Sequence, residues 1–293
     1  MKIVACIPVY NEESVIAKVV QNCLKKVDEV IVCDDGSIDN TVQMASEAGA
    51  YVLKHDKNRG KGAAMRTLFK HVLKTDADII VTIDGDGQFL TEEIPILVKP
   101  ILENQSDMVI GYRFDSNSEM PKYRKIGNKV LDKITNFATD LPFRDTQSGF
   151  RAYSKSAIKQ IEFSTDGFGA DSEILVNASE KKLKIIEQKV TVIYQTGNKT
   201  STKDPISHSS EVIVSLIELI ALKHPLKFLG IPGLLSICFG IIFSIMVITT
   251  FNETRYFSIP FTLISIGSLI VGILLFLMSI LLFSISLSVR KRS

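Results

Sequence analysis

Short β-branched runs alternate with helix-period segments along the front of the chain. Lys2–Pro8 reads as a strand, followed by a helix over Ser14–Leu24 with Asn11 and Ser14 as candidate caps. Glu29–Cys33 reads as the second strand, and Asn40 is placed to cap a helix over Thr41–Ala48 that Gly49 stops. Tyr51–Lys54 makes a third strand, Gly62–Leu73 a helix, Ile79–Ile83 a fourth strand, Glu92–Glu103 a helix and Met108–Ile110 a fifth strand. Such alternation with short connections predicts an α/β domain, a mainly parallel sheet with helices on both faces. Sheets of that kind bind ligands at the carboxyl ends of their strands.

The rear has a different pattern. Phe228–Phe251 and Ile259–Val289 carry no charged residue, and each exceeds the roughly 20 residues a helix needs to cross a hydrocarbon core. The chain therefore divides into an α/β domain over 1–206, a juxtamembrane segment over 207–225 and a transmembrane hairpin over 226–293 (spans about 228–251 and 259–289). In the middle segment Glu211–Leu222 has apolar residues at Val212, Ile213, Leu216, Ile217 and Ile220, an amphipathic helix suited to the membrane interface. Lys223 and Lys227 precede the first span and Arg290, Lys291 and Arg292 follow the second, whereas the loop between them holds only Glu253 and Arg255. The positive-inside rule puts both termini and the front domain in the cytoplasm. The opening run Ile3–Val9 is too short for a signal sequence.

Composition narrows the classes further. A formal charge of +2 over 293 residues lacks the basic bias of a dedicated nucleic-acid binder. The four cysteines, Cys6, Cys23, Cys33 and Cys238, show neither metal spacing nor pairing and read as packing residues.

Polar clusters begin where strands stop. Ile83-Asp84-Gly85-Asp86-Gly87-Gln88 places two carboxylates at i and i+2, so that in extended chain both face one cation. Oxygen ligands of this kind suit Mg²⁺ or Mn²⁺, with Gln88 adding a neutral oxygen, and the glycines let backbone approach a diphosphate. A polar turn would use the same residues. Pro8-Val9-Tyr10-Asn11-Glu12 ends strand one and Asp34-Asp35-Gly36-Ser37 ends strand two. There Glu12, Asp34 or Asp35 is placed to accept from a base or ribose hydroxyl, and Tyr10 to stack on the base; capping and turn formation explain the same residues singly. Two other nucleotide folds fail on spacing. No glycine follows strand one until Gly36, against a dinucleotide fingerprint, and in Asn58-Arg59-Gly60-Lys61-Gly62 the lysine is followed by glycine, against a P-loop.

In order and spacing, IPVYNEE, DDGSIDNT, NRGKGAA, DGDGQF and DTQSGFRAY resemble family 2 glycosyltransferases of the GT-A (Rossmann-like) fold over about Lys2–Lys203. Within that family they are most similar to dolichyl-phosphate mannose and glucose synthases and bactoprenol glucosyltransferases. The resemblance implies that Pro8, Tyr10, Glu12 and Asp35 hold the nucleoside and that Asp84 and Asp86 form the DxD-like pair, with Asp86 and Gln88 on the metal. It also implies that Arg113 contacts phosphate, that Arg124 lies near the acceptor phosphate, and that Asp145 and Ser148-Gly149-Phe150 lie beside the acceptor. One segment departs: Tyr194–Lys203 keeps a glycine and basic residues but lacks the arginine of the mannose synthases. With the glucose-synthase look of NRGKGAA, this favours a UDP-hexose over GDP-mannose.

The reaction so implied is metal-dependent, inverting displacement at the anomeric carbon by a polyprenyl (dolichyl) phosphate. That nucleophile is largely ionised at neutral pH, its second pKa being about 6, so a dedicated base is unnecessary. Asp86, Arg113 and Arg124 would manage the charge. The partners are then the sugar nucleotide, the lipid phosphate and the bilayer, with homo-oligomerisation left open. Three rivals stand beside this reading. A processive polysaccharide synthase needs a Q-x-x-R-W motif, and this chain has no tryptophan. The others are a family member acting on a non-lipid acceptor and a catalytically dead membrane scaffold.

Overall fold

Each apolar run read as a strand is a strand in the computed structural model. The structure describes residues 1–113, 129, 131–133, 135–136, 139, 141–167, 169–193, 221 and 224–290, excepting the side chains of 286–290. Arg124, the segment 194–203 and, but for Ala221, the helix expected at Glu211–Leu222 lie outside these residues. Two compact units, Met1–Leu216 and Ile217–Ser293, are taken in turn.

In the first unit β1 (Ile3–Val9), α1 (Ile16–Leu24), β2 (Glu29–Asp34), α2 (Thr41–Glu47), β3 (Tyr51–Lys54), α3 (Lys61–Val72) and β4 (Ile79–Thr82) alternate. A 3₁₀ turn (Thr91–Glu93), α4 (Ile94–Leu102), β5 (Met108–Tyr112), β6 (Arg151–Ser154), α5 (Lys155–Gln160), α6 (Ala170–Glu180) and β7 (Ile185–Lys189) follow. The described strands form one sheet in the order β3-β2-β1-β4-β6-β5-β7. Central strands lie under both layers, which is why β4 is buried at every position and reads as apolar but for Thr82, whose hydroxyl donates to the Gly149 carbonyl at 3.0 Å. Alternate residues of β1 serve opposite layers: Ala5, Ile7 and Val9 pack with Ile16, Val20 and Leu97, Val4 and Cys6 with Met65, Leu68 and Ile174.

The expected parallel sheet has one reversal. β6 runs antiparallel to both β4 and β5, with Arg151 opposite Thr82 and Ser154 opposite Ile79. Its first residue therefore lies at the carboxyl ends of the parallel strands. The DTQSGF segment before it is delivered to that rim.

Several caps differ from expectation. α1 begins at Ile16 with no side-chain cap; Asn11 instead adopts a left-handed φ of 54° and its Oδ1 accepts from the Ile38 amide at 3.0 Å. Asn40 holds the cap position of α2, but Asp39 Oδ1 takes the Thr41 amide at 3.0 Å. The helix expected at Glu92–Glu103 opens as the 3₁₀ turn because Pro95 can start the α-helix but cannot donate within it.

The second unit contains a π turn (Leu226–Gly230), α7 (Ile231–Thr254) and α8 (Ile259–Arg290). The stretches Leu226–Thr254 and Ile259–Ile285 are long and apolar enough to cross a membrane, and only 11% of each is buried. The two helices pack through small residues. A Cβ on Gly233 would meet the Phe276 amide at 2.9 Å, and one on Gly240 would meet Leu269 at 2.8 Å. Ser236 Oγ donates to the Ser268 carbonyl at 2.8 Å, and the Ser244 and Ser265 hydroxyls meet at 2.6 Å. Close backbone approach and hydroxyl pairing are the usual means of helix association where no hydrophobic drive exists.

Candidate active site

The parallel strands β1, β2, β4 and β5 end on one rim, and the polar clusters follow from there. Val9 pairs with Asp34 across β1 and β2, and Cys6 with Thr82 across β1 and β4. Gly85 passes so close to β1 that a Cβ would lie 3.0 Å from Val9 and 3.3 Å from the Pro8 carbonyl. The DGD turn is thus seated on the PVYNEE segment, with Tyr10 half-buried beside it.

Three carboxyl groups share this rim. Asp86 Oδ1 accepts from the Gln88 amide at 3.0 Å. Burial and then the charge of Asp84 push the Asp86 carboxyl up to about 6. Glu12 is pushed up to about 7, by burial first and then by Asp86 and Asp39. Lys61 and Arg113 pull the Asp86 carboxyl back only in part. Asp84 is paired directly, its Oδ1 receiving Lys61 Nζ at 2.8 Å.

Lys61 opens α3 and its ammonium also binds Asp171 Oδ2, on the first turn of α6, at 2.9 Å. Burial works against its charge, but Asp171 and Asp84 outweigh that and hold its pKa above the ordinary lysine value. The expectation that Asp84 and Asp86 face one cation together is thereby altered: an ammonium already stands on Asp84, and Asp86 is the carboxylate left in excess. Among the described residues, no three His, Cys, Asp or Glu side chains form a ready metal cage. The Gln88 carbonyl accepts from the Ile193 amide at 2.9 Å, which ties the turn to the segment that follows β7.

Asp35, expected to hold the nucleoside, is 3% exposed and faces the protein. Its Oδ1 takes His55 Nδ1 at 2.7 Å and the Arg59 amide at 3.0 Å; its Oδ2 takes the Gly60 amide at 2.7 Å. The two oxygens of Asp35 thus clasp the NRGKG loop. Asp34 keeps one oxygen, Oδ1, buried without a partner, while Oδ2 accepts from the Ser37 amide at 3.1 Å. Gly36, at φ 76°, lets the loop cross the Lys57–Asn58 backbone, where a Cβ would sit 2.5 Å from the Lys57 carbonyl carbon.

Arg113 and Asp145, expected on phosphate and beside the acceptor respectively, bind each other. Nε donates to Oδ2 at 2.6 Å and Nη2 to Oδ1 at 2.8 Å. Thus the fork expected to bind phosphate is engaged by the DTQSGF segment. Ser148 is fully buried and its carbonyl accepts from Arg151 Nε at 2.8 Å. Its hydroxyl therefore lies under the rim, with the Phe150 amide at 3.4 Å, instead of at a surface. Gly149 lies hard against Asp84, whose carboxylate oxygens would be 2.5 Å from an added Cβ.

Sequence reasoning overlooked His55, Lys61, Arg151 and Asp171. Lys61 carried a signal, since its NRGKG motif was already evident. Arg151 looked like part of a strand, yet its fully buried guanidinium donates to the carbonyls of Thr146, Ser148 and Asp171 and so shapes the DTQSGF segment.

Residues 4–162 match the family described as Glycosyl transferase family 2, and the chain belongs to that family. It is a glycosyltransferase with the GT-A fold. It is 35% identical over 211 residues to the UDP-N-acetylglucosamine–dolichyl-phosphate N-acetylglucosaminyltransferase of Methanococcus voltae, covering 64% of this chain and 84% of that one. It is 28% identical over 213 residues to the dolichyl-phosphate hexose transferase of Haloferax volcanii, covering 72% and 90%. Among solved structures, glucosyl-3-phosphoglycerate synthase from Mycobacterium tuberculosis, bound to Mn²⁺, UDP and glucosyl-3-phosphoglycerate, shares the fold. That match has a TM-score of 0.59 at 21% identity, over 74% of this chain and 79% of that one.

Proposed function

We propose that this chain transfers a hexose from a nucleotide-diphosphate sugar, UDP-linked in preference to GDP-linked, onto the phosphate of a polyprenyl (dolichyl-type) lipid. Mg²⁺ or Mn²⁺ serves at Asp86. The observation that carries the reading is the gathering of Asp84, Asp86 and Glu12 on one rim, where Lys61 pairs with Asp84 and Glu12 feels the charge of Asp86. Such a place is suited to a cation. Mg²⁺ commonly takes one or two carboxylates and completes its shell with substrate phosphates and water, which fits an incomplete protein cage. Asp86 would hold the ion with Gln88, and when bound it supplies charge neutralisation for the departing nucleotide diphosphate.

The chain's own groups do the rest. Pro8, Tyr10 and Glu12 line the nucleoside side, and Asp35 serves it indirectly by fixing the NRGKG loop. Lys61 holds Asp84 in place and adds a positive charge beside the diphosphate. Arg113 and Asp145 tie the end of β5 to the DTQSGF segment, and Arg124 is assigned to the acceptor phosphate. That phosphate, with a second pKa of about 6, attacks without a base. The names of the M. voltae and H. volcanii relatives support the lipid-phosphate acceptor, and the former supports a UDP donor. The two apolar helices support a membrane-embedded chain, its front unit and both termini on the cytoplasmic side by the charge of Lys223, Lys227, Arg290, Lys291 and Arg292.

The test is a donor and acceptor screen. Purified chain receives radiolabelled UDP-glucose, UDP-N-acetylglucosamine or GDP-mannose, each with and without polyprenyl phosphate. Label entering the organic phase only with a UDP-sugar and the lipid supports the reading. Donor turnover that leaves the organic phase unlabelled in the presence of polyprenyl phosphate refutes the acceptor.

A further inference from the structure

His55 follows β3 and is tied at both ends. Its amide donates to the Asp34 carbonyl at 2.9 Å, fixing the backbone to the end of β2. Its ring, in a residue only 8% exposed, spans from Asp35 (Nδ1 to Oδ1, 2.7 Å) to Thr67 on the second turn of α3 (Nε2 to Oγ1, 2.9 Å). An apolar residue would fill the same volume. What it would not supply is a donor for a buried carboxylate, and such a charge is tolerated only when hydrogen bonds replace its water.

The carboxylate in question controls a loop. Asp35 binds the amides of Arg59 and Gly60, while from the opposite side the Asp166 carbonyl takes the amides of Gly62 at 2.7 Å and Ala63 at 3.2 Å. Gly60 is squeezed between these two anchors at φ 99°, with room for no side chain: a Cβ would lie 2.3 Å from the Asp166 oxygen. The next residue is Lys61, whose ammonium bridges Asp84 and Asp171. A continuous series of hydrogen bonds and ion pairs thus runs from His55 through Asp35, the Arg59 and Gly60 amides and Lys61 to the first carboxylate of the DGD turn.

We propose that His55 is a positioning residue for sugar-nucleotide binding: by holding Asp35 it sets the NRGKG loop and places the Lys61 ammonium against Asp84. It touches neither substrate nor Lys61. The proposal rests on the sugar-nucleotide half of the function given above and is independent of the lipid acceptor.

The test compares three variants of the full chain in detergent micelles: His55→Ala, His55→Asn and Thr67→Val. The asparagine amide can stand where Nδ1–H stood, so it keeps the bond to Asp35 and loses the one to Thr67. UDP affinity is measured by calorimetry with Mn²⁺, alongside the heat-unfolding midpoint and KM for donor and for polyprenyl phosphate. His55→Ala is expected to weaken UDP binding and raise the donor KM by about tenfold, the loss of one charge-assisted hydrogen bond. The lipid KM should stay unchanged, and His55→Asn should recover most of the loss. Thr67→Val, which leaves Asp35 its donor, should bind UDP within about twofold of the wild type. If His55→Ala is folded and binds UDP as tightly as the wild type, the proposal is overturned. It is overturned equally if His55→Asn is as impaired as alanine, or if His55→Ala lowers only the unfolding midpoint. A wild type that binds UDP but never labels lipid would refute the acceptor assignment and leave the calorimetric comparison of the variants intact.

Discussion

Arg113 holds Asp145 in a two-pronged grip, Nε and Nη2 on the two carboxylate oxygens, and its own amide adds a third bond at 3.0 Å. Asp145 is fully buried and the Arg113 side chain is 15% exposed. The pair joins the end of β5 to the segment that carries Ser148 and Gly149, so it shapes the rim before any substrate arrives. Truncating Asp145 removes a fully buried carboxylate together with its three hydrogen bonds from Arg113. Asp145→Ala should therefore destabilise the protein by roughly 3–5 kcal/mol, as for other broken buried pairs. Unfolding in denaturant, followed by intrinsic fluorescence, measures this; a change under about 0.5 kcal/mol would show that the pair contributes little.

Gly149 sets the place of Asp84. A methyl group there would lie 2.5 Å from the Asp84 carboxylate oxygens, and a side-chain carboxylate can swing aside more easily than backbone. Gly149→Ala is thus expected to leave the fold near wild-type stability while turning Asp84 away from Lys61. Activity should fall by about a hundredfold, the scale seen when one preorganised charged group is misplaced. Unimpaired turnover in a folded Gly149→Ala variant would mean that the Asp84–Lys61 contact is dispensable.

Asp132 supplies a pH dependence outside the reaction centre. Its Oδ1 accepts from the Thr146 amide and hydroxyl, both at 2.8 Å, and burial pushes its carboxyl up to about 7. The unfolded chain releases this proton near the usual aspartate value of about 4. Between those values the folded state holds more protons than the unfolded one, so this group makes stability fall as pH rises from about 4 to 7. Asp132→Asn keeps the acceptor without the charge. Its unfolding midpoint should match the wild type near pH 4 and exceed it near pH 8; a gap that is constant with pH would contradict the assignment.

Sequence pattern and structure agree best where burial alone decides. β1, β2 and β4 are apolar through their middles because both faces are covered, and their ends, where Tyr10, Asp34 and Asp84 begin the polar clusters, were readable for the same reason. Partnership was not readable. Nothing local to Arg113 announces Asp145, which lies beyond a reversal of the chain, and β6 itself is only the short run Arg151–Ser154, too brief to show a period. Likewise the carboxylates of Asp34 and Asp35 are equivalent in sequence. Only the fold turns Asp35 under the NRGKG loop, toward His55 just after β3 and the start of α3. The resemblance points to segments and leaves open which of their side chains face substrate and which face one another.

The central claim is a divalent cation at Asp86 serving a sugar nucleotide. Transfer from a UDP-sugar to polyprenyl phosphate should be measured for the wild type and Asp86→Ala across a Mn²⁺ titration, from excess chelator upward. The account predicts activity that is absent in chelator and restored by Mn²⁺ in the wild type, and at least a hundredfold lower at every Mn²⁺ concentration in a folded Asp86→Ala. Undiminished transfer by that variant, or by the wild type in excess chelator, would contradict it.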